Sequence, residues 1–226
     1  MRIFIFMGLP YQGKTTAATE LYRQLKYESI YKDREIGFIS TDDCRGKILE
    51  DEYPNEDRYK YTAIQECQSW RLFLGEIVDF MSLSPPNSIL ILDGTFTQWS
   101  KICEVLDILT LNIETYANQR LPLIVEFIHI GSQFGENLWK PVPAMLEANS
   151  KVQAIWNMRC QLNESRGLMA KVPDEVFDRK VEELRETSKT LISTCKCFMK
   201  SYRGLLFIAI HYLRHHPRAR EIQKLI

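Results

Sequence analysis

The chain offers no net charge to a polyanion: 29 Lys and Arg balance 29 Asp and Glu over 226 residues. A neutral total removes the bulk electrostatic case for a nucleic-acid or anionic-membrane ligand, although a local basic groove can sit inside it. No apolar run reaches the length that spans a bilayer, so no membrane partner is expected. The six cysteines (Cys44, Cys67, Cys103, Cys160, Cys195 and Cys197) include no C-x-x-C pair and no histidine at zinc spacing. The close pair Cys195-Lys196-Cys197 reads as incidental. There is no internal repeat and no low-complexity segment. The apolar start, Met1 to Met7, is too short for a secretory signal and runs into a glycine-rich turn, so it reads as a buried first strand.

What is present alternates. Apolar runs of strand length lie at Ile3–Met7, Ile36–Ser40, Ile89–Asp93, Leu123–Ile130 and Leu205–Ile210. Each is nearly continuous in Ile, Leu, Val and Phe, the pattern of strands buried on both faces. Segments of helical period separate them. Ala63, Cys67, Trp70, Leu74, Ile77 and Met81 recur at steps of three and four, one face of a long helix that ends at Ser84-Pro85-Pro86-Asn87. Further helices are predicted over Trp99–Ala117 and Asp174–Thr190, the latter opened by Pro173 and an acidic first turn. Residues 131 to 172 form a long connection, helical in its later part. The basic stretch Arg214 to Arg220 reads as a solvated face. The expected architecture is α/β: a parallel five-stranded sheet with helices on both faces, in a single domain over residues 1–226.

The stretch Gly8-Leu9-Pro10-Tyr11-Gln12-Gly13-Lys14-Thr15 fits G-x-x-x-x-G-K-[ST], with a strand before it and a helix after it. In that context the loop N–H groups and the helix N-terminus converge on a phosphate. Lys14 supplies a point charge for the β- and γ-phosphates, and the Thr15 hydroxyl is a magnesium ligand. Gly8, Tyr11, Gln12, Gly13, Lys14, Thr15 and the following Thr16 are therefore the expected nucleotide-binding residues of a P-loop NTPase fold. The third strand ends in Asp93, the position from which such a fold holds magnesium; on its own a strand-terminal Asp is a turn residue or a cap. With the P-loop in place, the scattered cysteines predict reduced thiols in a cytoplasmic protein. No guanine-reading N-K-x-D is found, which directs the expectation to ATP with Mg2+.

Two more groups extend the site. Thr41-Asp42-Asp43-Cys44-Arg45 follows the second strand, where an open sheet lines its ligand crevice. A carboxylate there can accept the proton of an attacking hydroxyl and Arg45 can neutralise an acceptor phosphate; equally, Thr41 or Asp42 can cap the next helix. Arg159 and Arg166, seven residues apart, share a helix face within 153–172 and suit an arginine lid that closes over the γ-phosphate.

In this order the pieces resemble the kinase module of phage polynucleotide kinase and its relatives, over residues 1 to about 176. The resemblance is carried by the P-loop, Asp42-Asp43-Cys44-Arg45, Asp57-Arg58-Tyr59-Lys60-Tyr61-Thr62, Asn163 to Gly167, and Val172-Pro173. It implies that Asp42 is the general base for a 5′-hydroxyl, that Arg45 clamps the acceptor phosphate, and that Arg166 is the lid arginine on the donor phosphates. Leu162 stands where the family often has a basic residue, and Arg159 lies one turn earlier. The segment from about 177 to 226 resembles nothing in that family and is expected to pack on the domain. Zeta-toxin-like, antibiotic and gluconate kinases share the same parts with other acceptors. Three functions follow as expectations: a 5′-hydroxyl polynucleotide kinase, a kinase for a nucleoside, sugar nucleotide or antibiotic, and a nucleotide-dependent switch ATPase. Oligomeric state leaves no trace in the sequence.

Overall fold

A computed structural model describes residues 1–9, 14–28, 31–52, 62–111, 113, 122–130, 174–202 and 204–213. Strand β1 (Arg2–Met7) leads to helix α1 (Lys14–Tyr27), β2 (Ile36–Ser40), α2 (Thr41–Glu52), α3 (Ala63–Leu83), β3 (Ile89–Asp93), α4 (Trp99–Leu111) and β4 (Leu123–Ile130). Helix α5 (Asp174–Ser201) and strand β5 (Leu206–Leu213) complete the order. The five strands form one sheet in the order β2-β3-β1-β4-β5, with all four pairings parallel. Helices on both faces cover it, because strand side chains alternate sides with a period of two. Ile3, Ile5 and Met7 of β1, with Leu90, Leu92, Val125 and Phe127, point into a core completed by α3, α4 and α5. Phe4, Phe6, Ile89, Ile91, Ile128 and Ile130 point the other way, onto Ala17, Ala18, Leu21 and Leu25 of α1.

Local chemistry sets the element ends. Thr62 and Gln65 form a capping box at the start of α3: the Thr62 side chain accepts from the Gln65 N–H and the Gln65 side chain accepts from the Thr62 N–H. At its other end the Ser84 N–H closes on the Phe80 carbonyl, just before Pro85-Pro86. The buried stripe of α3 differs from the expected one. Phe73, Ile77 and Met81 are buried, but over the first two turns Gln65 and Ser69 are buried while Ala63 and Cys67 face solvent. Those turns pack beside a polar crevice rather than the apolar core, so periodicity of apolar residues points the wrong way there.

Helix α5 runs eleven residues past the expected Thr190, and Leu191 and Cys195 extend the stripe of Val181, Leu184 and Thr187 onto the core. Helix α4 is described to Leu111; of the rest of the expected span to Ala117, only Ile113 is among the described residues. The cysteines described (Cys44, Cys67, Cys103, Cys195 and Cys197) carry free thiols. No described helix is long and apolar enough to cross a membrane.

One charged cluster lies within the sheet away from the carboxyl ends of its strands. Glu126, buried on β4, takes an ion pair from Arg2 on β1 and meets His211 Nε2 on β5 at 2.9 Å. It ties three neighbouring strands together through side chains as well as backbone.

Candidate functional site

Parallel strands all present their carboxyl ends at one edge, and there the site residues gather. Asp93 is level with Phe6 of β1 on one side and with Ser40 of β2 on the other. The P-loop therefore starts beside the acidic strand end, and the Asp42 segment starts on its far side.

On the β1 side, Gly8 adopts φ +146°, a conformation that favours glycine, and its N–H donates to the Thr95 carbonyl at 3.1 Å. Lys14 opens α1 and folds back so that Nζ donates to the Leu9 carbonyl at 2.7 Å. Only 7% of Lys14 is exposed, and burial lowers its pKa to about 8 against the opposing charges of Asp93 and Asp42. Asp93 is 2% exposed, and burial raises its pKa although the Thr15 side chain hydrogen-bonds it and Lys14 lies near. Its Oδ1 meets no donor among the described residues. Thr15 and Thr16 are exposed on the first turn of α1. Tyr11, Gln12, Gly13, Arg159 and Arg166, together with the 153–172 lid segment and residues 57–61, lie outside the described residues.

A buried carboxylate oxygen without a donor, beside a threonine hydroxyl at a P-loop, suits a divalent cation that keeps water and phosphate oxygens as its other ligands. Among the described residues no group of three or more His, Cys, Asp or Glu forms a cage of its own. Any ion held here would depend on a bound nucleotide for the rest of its shell.

On the β2 side the capping question resolves. The Ser40 hydroxyl accepts from the Asp42 N–H at 3.2 Å, so Ser40 caps α2 and neither Thr41 nor Asp42 is spent on it. The Asp42 side chain is 73% exposed and its Oδ1 accepts from Arg45 at 2.6 Å. The other arm of the Arg45 fork reaches Glu66 on α3 at 3.5 Å. Lys101 on α4 meets the second oxygen of Glu66 at 3.1 Å and stands 4.7 Å over the Trp70 ring. Thr41, Arg45, Glu66, Trp70 and Lys101 wall a small open crevice, whose floor includes Thr95 and Phe96.

The loop between β3 and α4 divides the two sides. Phe96 takes φ +43°, strained for a non-glycine residue, and its ring lies among Trp70 and Phe73 at 6.3 and 5.9 Å. A methyl group on Gly94 would come within about 3 Å of the Phe96 and Thr41 side chains, so a larger residue here would press on both. Helix α5 pins the next residues: Thr187 donates to the Thr97 carbonyl at 2.6 Å, and Glu183 accepts from the Thr97 hydroxyl and the Gln98 amide.

Three contributors escaped sequence reasoning, and for Ser40, the first residue of the expected stretch Ser40 to Arg45, the capping role did. Arg45 meets Glu66, and Glu66 meets Lys101, only through the packing of three helices. His129, buried near the end of β4 and level with Met7, has its pKa lowered to about 4 by burial and by the Lys14 charge. A histidine beside the carboxyl end of a largely apolar strand was the signal available for it.

No family model and no curated protein matches the chain. Solved structures do. Chaetomium thermophilum Kti12 in complex with ADP-AlF3 is similar over 98% of this chain and 94% of its own, at 16% identity and a TM-score of 0.52. A kinase candidate from Chloroflexus aurantiacus is similar over 99% and 92%, at 13% identity and a TM-score of 0.49. The Mycobacterium tuberculosis APS kinase is similar over 56% and 73%, at 13% identity and a TM-score of 0.36. At such identities likeness extends to fold alone. The five-stranded parallel sheet, its helices and the likeness to Kti12 make this a P-loop NTPase fold.

Proposed function

We propose that the chain is an ATP-dependent phosphotransferase that moves the γ-phosphate to a hydroxyl acceptor. One observation carries this: a carboxylate unneeded for capping, Asp42, stands in the first turn of α2 just past the end of β2, close enough to the buried Lys14 and Asp93 for its charge to act on both. A fold that only hydrolysed its nucleotide would have no use for an acceptor-side base held by its own arginine.

Each residue has a task. Lys14, near full charge at neutral pH, would exchange the Leu9 carbonyl for phosphate oxygens. Thr15 and Asp93 would hold Mg2+, which when bound with ATP neutralises charge on the phosphates. Asp42 takes the proton of the acceptor hydroxyl as its oxygen bonds to phosphorus and ADP leaves. Arg45 keeps Asp42 in place and faces the acceptor. The nucleotide in the Kti12 structure is in keeping with this use of the loop. The resemblance to polynucleotide kinases makes 5′-hydroxyl ends the first acceptor to test, whereas the zero net charge favours a small phosphorylated molecule.

The test is transfer of labelled γ-phosphate from ATP to 5′-hydroxyl DNA and RNA oligonucleotides, nucleosides and sugar nucleotides, with Lys14→Ala as the blank. Label on an acceptor, absent in the blank, is the expected result. Release of phosphate with no labelled acceptor would transfer the reading to a switch ATPase, and failure to bind ATP would end it.

A further inference from the structure

We propose that Glu183 of α5 is a positioning residue for the P-loop: it holds the loop between β3 and α4, and that loop, through Thr95, holds Gly8 in the shape a bound phosphate needs. The inference rests on the nucleotide reading above. It gives a part in the site to a helix that lies almost wholly beyond residue 176, where the resemblance to polynucleotide kinases ends.

The link can be followed atom by atom. Phe6 of β1 is level with Asp93 of β3, and two residues further on the Gly8 N–H donates to the Thr95 carbonyl at 3.1 Å. Two residues past Thr95, the Thr97 hydroxyl donates to Glu183 Oε2 at 2.8 Å, and the Gln98 amide donates to Oε1 at 2.9 Å. Thr187, one turn along α5, donates to the Thr97 carbonyl at 2.6 Å. Thr97 and Thr187 are each 1% exposed, so water does not stand ready to replace these bonds. Between the two anchored points sits Phe96 at φ +43°, a conformation that persists only while its surroundings enforce it. Released from α5, the loop can relax at Phe96 and draw the Thr95 carbonyl away from Gly8. The N–H groups of a P-loop work by standing in place before the phosphate arrives, so loosening the first of its glycines costs affinity.

Docking of α5 does not by itself call for these contacts. Val181, Leu184, Leu191 and Cys195 already seat the helix on the core. Both oxygens of Glu183 are nevertheless turned to loop residues, with Lys180 balancing the charge at 2.9 Å. The neighbouring Glu182 supplies an internal control: it has the same charge on the same helix, but it is 61% exposed and pairs with Arg185 on α5 itself.

The experiment joins two readouts: amide hydrogen exchange of the nucleotide-free protein, followed at Gly8 by NMR, and equilibrium binding of ADP with Mg2+. Glu183→Ala is expected to speed exchange at Gly8 about tenfold and to weaken ADP about tenfold, while Ile5 within β1 keeps its wild-type exchange rate. Thr97→Val removes only the hydroxyl; it should act in the same direction to a smaller extent, and it carries the test should Glu183→Ala fail to fold. Glu183→Gln still accepts from the Thr97 hydroxyl and should restore most of both values. Glu182→Ala should match the wild type. A merely structural Glu183 would lower resistance to urea without moving Gly8 exchange or the ADP affinity of the folded protein. The inference is overturned if Gly8 exchange stays at the wild-type rate in Glu183→Ala and Thr97→Val, if ADP affinity is unchanged in both, or if Glu182→Ala reproduces the effect. Absence of ADP binding by the wild type would instead sink the nucleotide reading, and the Gly8 comparison, made without nucleotide, would still decide whether Glu183 holds the loop.

Discussion

The two sides of the strand-end cleft hold their charges by opposite means. On the β1 side, Lys14, Asp93 and His129 are buried, and burial is the largest influence on each, moving all three away from their ordinary pKa values. On the β2 side, Asp42, Arg45, Glu66 and Lys101 stand in partial contact with water and balance one another through ion pairs. A dry side with fixed dipoles and an unsatisfied carboxylate oxygen suits a ligand of constant shape, such as a nucleotide phosphate chain. A wetter side whose pairs can exchange partners suits a ligand that must enter and leave after each transfer. Charges of similar number thus do different work according to solvent access.

The largest test of this contrast is Asp42→Ala. Transfer turnover is expected to fall by about 10²–10⁴, the usual worth of a positioned base, while ATP affinity stays at the wild-type value. Steady-state transfer together with equilibrium ATP binding reads both quantities. A parallel drop in ATP affinity would show that the two sides act as one unit, and unchanged turnover would remove Asp42 from the chemistry.

A smaller effect separates the sides by pH. Lys14 has a folded pKa of about 8 against 10.5 for an unperturbed lysine. Between those values the unfolded chain binds a proton that the folded protein lacks, so stability of the nucleotide-free protein rises with pH. Cys44 and Cys195 act in the opposite sense above their ordinary value of 9.0, because burial lifts both to about 12 and the folded protein then keeps protons the unfolded chain has lost. From pH 8 to 9 the Lys14 contribution grows by at most about 1.4 kcal/mol, while ionisation of the two thiols in the unfolded chain begins to offset it. Urea melts at pH 8 and 9 should therefore show the difference between the wild type and Lys14→Met, which share the thiols, moving in favour of the wild type as pH rises. ATP affinity should fall over the same interval, since the phosphates need the charged lysine. If stability and affinity moved in the same direction, burial of Lys14 would not be the controlling feature.

Legibility from sequence followed the same divide. The strands were readable because residues such as Ile89 to Leu92 are buried on both faces and leave an unbroken apolar run. The grouping of Lys14 and Thr15 with Asp93 was readable because a P-loop fixes the first two along the chain and an unbroken apolar run ends on the third. The crevice was not. Glu66 lies 21 residues from Arg45 and 35 from Lys101, and only the packing of α2, α3 and α4 brings them together. Gln65 and Ser69, buried in place of Ala63 and Cys67, show the same thing on a smaller scale: where a helix turns a polar face to a site, apolar periodicity ceases to report burial.

The smallest expected effect is again on Asp42, now in stability. Its carboxylate is 73% exposed and its partner Arg45 is three residues along the same helix, a pair of the kind worth about 0.5 kcal/mol or less. It does not cap α2, because Ser40 does. Asp42→Ala should therefore shift the unfolding free energy by less than about 0.5 kcal/mol, whereas Ser40→Ala should cost about 1 kcal/mol. Urea melts of both variants check this. A large loss in Asp42→Ala would mean that the residue serves the fold, and its effect on transfer would then have to be reread as damage to the helix. A small loss beside a large fall in turnover leaves chemistry as the reason a carboxylate is kept there, in water, at the end of a strand.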